Sequence, residues 1–161
     1  MDEILEILEK DGRASVEDIA RMLKKKPEAI RQAIKKYEKD GAILKYKAVI
    51  NKELVKDSNS YVRALIEVNI VPQKDVGFDK VAERIYSFPE VSSCYLISGT
   101  YDLLLIVEGK NIHEVSRFIS EKLAPSENVR GTVTHFMLKK YKEDGIMLKH
   151  RKENERIAIS Y

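Results

Sequence analysis

The sequence is short of the residues that announce special chemistry or architecture. Its 161 residues include one cysteine, no tryptophan, four prolines and seven glycines. One cysteine excludes an internal disulfide, and Cys94 lies in a strand-like run where a small buried hydrophobe is its expected role. So little Pro and Gly, with no low-complexity run, excludes a linker array or a disordered tail. No apolar run approaches the roughly 20 residues that a bilayer span needs. The chain opens on Asp2 and Glu3, not on a basic export region. A cytoplasmic protein with no membrane partner is therefore expected. Gly-rich phosphate loops, metal-ligand clusters and Ser/His/Asp patterns are also missing, so no metal, no cofactor and no catalytic residue is expected. Of the three histidines, His113 falls on the polar side of a helix start and His150 in a basic tail. His135, in line with Val133 and Met137, reads as a satisfied core residue.

What is present is 43% hydrophobic and 34% charged residues, enough for a globular core in one domain or two small ones. Residues 1–50 read as three helices and a short hairpin. Ile4, Leu5 and Leu8 recur at helical spacing before Asp11-Gly12. Ser15 precedes the stripe Val16, Ile19, Ala20, Leu23, with Asp18 as a variant capping box. Pro27 opens a third helix with the stripe Ile30, Ala33, Ile34, Tyr37, which Asp40-Gly41 stops. In "AILKYKAVI" the period becomes 2, predicting a half-buried strand with Leu44, Tyr46 and Ala48 on one face and Lys45 and Lys47 on the other. Three short helices and a strand describe a winged helix-turn-helix.

Residues 51–60 carry turn formers without periodicity and are assigned as a linker. Residues 61–145 then read strand, helix, strand, strand, helix, strand. The first strand alternates through Val62, Ala64, Ile66, Val68 and Ile70, Asn111 caps the second helix, and "VRGTVTHFMLKKY" is the last strand. This order is the ferredoxin-like βαββαβ pattern, so the fold class is α+β. Such a sheet leaves one face open, yet Leu103, Leu104, Leu105, Ile106 and Val107 are apolar on both alternations. A second copy covering the sheet, and hence a homodimer, is expected. Residues 146–161 are a tail with a hairpin expected around Lys152 to Glu155.

The charge is unevenly spread. Residues 1–23 hold three basic and seven acidic side chains, a balance of −4; residues 24–47 hold nine and three, a balance of +6. The cations are Lys24, Lys25 and Lys26 in the turn, Arg31, Lys35, Lys36 and Lys39 with Gln32 on the polar side of the third helix, and Lys45 and Lys47 beyond it. Segregation of this kind on a helix-turn-helix is the footprint of a face for double-stranded DNA.

The runs "ILEILEKDGRASVEDIARML", "IRQAIKKYEKDGAILKYKAVIN", "SGTYDLLLIVEG" and "VRGTVTHFMLKKYKEDG" together resemble the Lrp/AsnC (feast/famine) family of transcription regulators over about residues 2–145. The resemblance implies a DNA-binding regulator of amino-acid metabolism that dimerises through its C-terminal domain, often assembles further, and holds a small-molecule effector. Family members usually place a Gly, an apolar residue and a Ser or Thr cap where Lys24, Lys25 and Lys26 stand, and commonly an Arg at Ala33. Losing the cap costs about 1 kcal/mol, offset in part by Pro27. The turn is thus expected to lean on phosphate contacts.

The family's glycine, tyrosine and aspartate fall on Gly99, Tyr101 and Asp102. An amino-acid effector needs an acceptor for its ammonium, which Asp102 offers, and donors for its carboxylate, which the amides around Gly99 and Thr100 and the Ser98 hydroxyl offer. Thr132 and Thr134 are assigned to the same pocket by resemblance alone. The competing reading of 98–102 is a turn that needs Gly for its backbone and Asp to cap its own amides. Two alternatives to a sequence-reading regulator stand: an architectural or purely effector-sensing protein, and an enzyme similar to the heme-pathway decarboxylases that share this architecture.

Overall fold

The computed structural model describes residues 2–51, 54–55, 61–71 and 77–148, divided into two compact units, 1–50 and 51–161. The expected hairpin around Lys152 to Glu155, and most of the 51–60 stretch, lie outside the described residues.

The first unit contains α1 (Glu3–Lys10), α2 (Val16–Leu23) and α3 (Pro27–Lys39). Each start has its own solution to the unpaired amides of a first turn. Asp2 accepts from the Ile4 amide at 2.8 Å; that bond, then Tyr37 of α3, holds its carboxyl below the usual aspartate range. Ser15 Oγ accepts from the Asp18 amide at 3.0 Å and donates to the Asp18 carboxylate at 2.6 Å, so the capping pair closes through side chains. Lys26, at the N-cap of α3, makes no side-chain cap bond, and Pro27 fills the first position without an amide to satisfy. Ile4, Ile19, Ala20 and Ile30 form the buried core, flanked by Leu8, Leu23, Ile34 and Tyr37. Gly41, at φ +75°, ends α3 in the left-handed region that glycine enters without strain.

The strand expected in residues 42–50 is absent: 43–50 carry no regular structure. Leu44, Tyr46 and Ala48 are exposed rather than half-buried, Leu44 to 89%. Alternation alone does not hold a strand, because its amides and carbonyls need a partner, and among the described residues no strand pairs with this segment, whose Ile43 amide bonds back to the Tyr37 carbonyl at 3.0 Å. Tyr46 instead lies against the Gly12 backbone and donates from its hydroxyl to Glu38 at 3.1 Å.

The second unit is built on β1 (Val62–Ile70), α4 (Phe78–Tyr86), β2 (Val91–Leu96), β3 (Leu103–Gly109), α5 (Ile112–Phe118) and β4 (Val129–Phe136). The antiparallel sheet has order β2-β3-β1-β4, which is the ferredoxin-like arrangement. Ala64, Ile66, Val68 and Ile70 of β1 and Leu103, Leu105 and Val107 of β3 share the core with Val81, Ile85, Val115 and Phe118 of the helices. Cys94 is half-buried against this core, and burial pushes its thiol up. Leu65, Leu104 and Ile106 lie on the other alternation and are only partly buried.

Two differences from expectation matter here. The second helix does not run evenly to Leu123: after Phe118 it opens into a π-helical turn, Ile119–Leu123, closed by the Ala124 amide on the Ile119 carbonyl at 2.8 Å. That turn buries Leu123, while Ile112, the first residue of the expected stripe, is exposed. The last strand stops at Phe136, and the chain folds into a small hairpin, β5 (Lys142–Glu143) with β6 (Ile146–Met147). Arg63 on β1 fastens that hairpin, bonding Glu108 of β3 at 2.7 Å and Glu143 at 3.1 Å.

Candidate nucleic-acid interface and ligand loop

Arg31, Gln32, Lys35, Lys36 and Lys39 line the side of α3 opposite its buried stripe, and all are exposed, as are Lys24, Lys25, Lys26, Lys45 and Lys47. The turn into α3 is shaped by Lys24, which caps α2 in the left-handed conformation, φ 53° and ψ 39°. Its amide reaches the carbonyls of Ala20 and Arg21, and the Lys25 amide bonds Ala20 at 2.9 Å, so the end of α2 closes tightly and aims three consecutive lysines outward. A sharp reversal between two helices with cations on turn and second helix suits a helix end inserted in a groove and phosphates gripped beside it.

Two of these cations already have partners. Arg31 pairs with Glu28 at 2.7 Å and with Glu17 of α2 at 3.5 Å, and Lys25 lies 3.5 Å from Glu3. The Glu28 partnership was legible from its spacing of three along one helix. The Glu17 contact joins two helices and leaves no local trace in the sequence.

The loop joining β2 to β3 holds Ser98, Gly99 and Thr100 exposed, with Tyr101 and Asp102 half-buried. Neither half of the turn-only reading applies. Gly99 has no left-handed φ, and a Cβ there would meet only Ile97 at an ordinary 3.8 Å. The Asp102 side chain does not cap its own loop, which its carbonyl closes by accepting from the Ile97 amide at 2.8 Å: Oδ2 accepts from the Ile70 amide of β1 at 2.7 Å, while the Asp102 amide donates to the Val68 carbonyl at 3.1 Å. Thr132 pairs in register with Val68, and Thr134 with Ile66. Asp102 and Thr132 therefore flank the same end of β1, one from each side. The two threonines share the alternation of Val68 and Ile66, the helix side of the sheet.

His135 is not a core residue. It faces away from the helices, its side chain 56% exposed, and its Nε2 lies 3.0 Å from Glu67 on the neighbouring strand. No helix among the described residues is long and apolar enough to cross a membrane.

Comparison with known proteins agrees with this geometry. A model of the winged helix-turn-helix DNA-binding domain matches residues 3–43, and one of the Lrp/AsnC ligand binding domain matches residues 63–147. The chain is 44% identical over 158 residues to the uncharacterized HTH-type transcriptional regulator YugG of Bacillus subtilis, covering 98% of this chain and 95% of that one. It is 30% identical over 140 residues to the HTH-type transcriptional regulator FL11 of Pyrococcus furiosus, covering 87% and 88%. Among solved structures, the transcriptional regulator NMB0573 of Neisseria meningitidis, in complex with L-Met, superposes with a TM-score of 0.70 at 26% identity, covering 89% of this chain and 93% of that one. The protein thus belongs to the Lrp/AsnC family of helix-turn-helix transcription regulators.

Proposed function

We propose that this regulator works in the cytoplasm as a homodimer, with further assembly of dimers, reading duplex DNA through α3 and answering to an amino acid bound near residues 98–102. The observation that carries the reading is the exposed stripe of Arg31, Gln32, Lys35, Lys36 and Lys39 on a helix-turn-helix whose turn is itself three lysines. Lysines 24–26, 45 and 47, with Arg31 once it leaves its carboxylates, grip phosphates and set register, while Gln32, nearer the start of α3, faces base edges. Support for the amino acid comes from the loop chemistry and from the meningococcal relative's complex with L-Met. One Asp102 oxygen is taken by Ile70, which leaves Oδ1 for an ammonium group. Leu65, Leu104, Ile106 and the exposed Val133 give the open side of the sheet the apolar surface on which a second copy sits.

Gel-shift titration and footprinting on the protein's own upstream DNA test the reading. The Arg31→Ala/Lys35→Ala double variant should lose at least tenfold in affinity, and Lys25→Ala should flatten the salt dependence without changing sequence preference. Unchanged affinity of the double variant sinks the assignment of α3.

A further inference from the structure

A cleft of about 320 Å³ opens at the end of the second unit remote from the 98–102 loop, between the close of β3, α5 and the π-helical turn. Roughly 20 Å of β3 separates the two places, from six residues at strand rise. Its base is the packed wall of Val107, Val115 and Phe118, and Gly109 belongs to the same wall. A Cβ at Gly109 would come within 3.1 Å of the Val115 side chain, so any larger residue there would have to push that wall back by a few tenths of an ångström.

The rim carries both signs of charge. Lys122 is engaged by Glu90, whose carboxyl that contact holds below its ordinary range against burial. Glu108 is held by Arg63, and Glu114 accepts from the Lys110 amide. Arg117 and Glu121 remain, exposed and without a partner among the described residues. Opposite charges four apart on an α-helix are within reach of each other. These two do not pair, and between them the backbone leaves the α-helix for the π-helical turn, a rare local form frequent at functional sites. The result is a concave place with a free guanidinium and a free carboxylate on one rim.

We infer that this cleft is a second ligand site, taking a small zwitterion whose carboxylate meets Arg117 and whose ammonium meets Glu121. Its volume is at the lower limit for small-molecule pockets, which suits a ligand the size of an α-amino acid. The inference does not depend on the 98–102 loop being a site.

The test uses the full chain in calorimetry and thermal shift with each of the twenty L-amino acids at millimolar concentration, repeated on Arg117→Gln, Glu121→Gln and Asp102→Asn. At least one amino acid should bind the parent. The parent's isotherm should contain a binding event that weakens at least tenfold in both rim variants, with their ligand-free melting temperatures unchanged, and that remains in Asp102→Asn whatever that variant does to binding at the loop. The α-amide of that amino acid, which lacks the carboxylate, should bind Arg117→Gln as it binds the parent. Binding that ignores both rim substitutions overturns the inference. If Asp102→Asn alone abolishes binding, the inference falls and the loop assignment stands. A parent silent to all twenty overturns it as well, while leaving the DNA reading untouched.

Discussion

Lys24 shows how much a single position can carry. In the left-handed region a side chain costs roughly 1–2 kcal/mol, whereas glycine there costs only about 0.5–1 kcal/mol of extra chain entropy in the unfolded state. Lys24→Gly is therefore expected to stabilise the protein by about 0.5 kcal/mol, read as a small rise in melting temperature. The same change should flatten the salt dependence of DNA binding by about one unit of log-log slope if the ammonium touches a phosphate. Lys26 offers a larger gain. It caps α3 with no side-chain bond, so Lys26→Ser should add about 1 kcal/mol in a denaturant titration. At Asp102 two substitutions separate the oxygen from the charge. Asn keeps an acceptor for the Ile70 amide, so it should melt like the parent; Ala leaves that half-buried amide unpaired and should cost about 1–3 kcal/mol. Equal melting of both variants would show that the bond contributes nothing to stability.

At the scale of elements, charge ties the β5–β6 hairpin to the sheet, through Arg63 and Glu143. Lys140, 2.8 Å away, and then Arg63 keep the Glu143 carboxyl below its ordinary range, against the opposing effect of burial. A depressed carboxyl stabilises fully above its unfolded pKa, and the contribution is lost as pH falls through the lower folded value. Acidification should thus free the hairpin before the sheet melts. Exchange of the Leu148 amide, bonded to the Tyr141 carbonyl at 2.9 Å, should accelerate below the ordinary glutamate range while core amides such as Ile66 stay protected. Synchronous exchange would mean that the hairpin unfolds only with the whole unit. The elements themselves were largely legible in the sequence, because burial on one side writes a period of 3.6 or 2 into the residues. Features that depend on distant partners were not. The alternation in residues 42–50 promised a strand but carried no information on whether a neighbour would pair with it. Ile112, Val115, Ile119 and Leu123 are spaced for an even helix, and nothing local announces the wide turn after Phe118. His135 looked apolar by its neighbours in the strand, yet the sheet register sets it beside Glu67, 68 residues away. Asp102 and Ile70 meet across strands in the same way.

For the molecule as a whole, the open side of the sheet is the decisive surface. If a second copy covers Leu104 and Ile106, Leu104→Arg should strand an unpaired charge in that contact, and sedimentation should show dissociation or aggregation at micromolar concentration. Unaltered sedimentation would place the contact elsewhere. DNA binding has its own consequence, rooted in the contacts among Arg31, Glu28 and Glu17. These exposed pairs add little to stability. Their weight falls on the tally of ions exchanged with the solution. An arginine that moves from a carboxylate to a phosphate expels a cation from the duplex but leaves behind a bare acid, which recruits a cation of its own. The salt slope should therefore undercount the phosphates the protein covers, and Glu28→Gln should steepen it towards the true number while raising affinity at low salt.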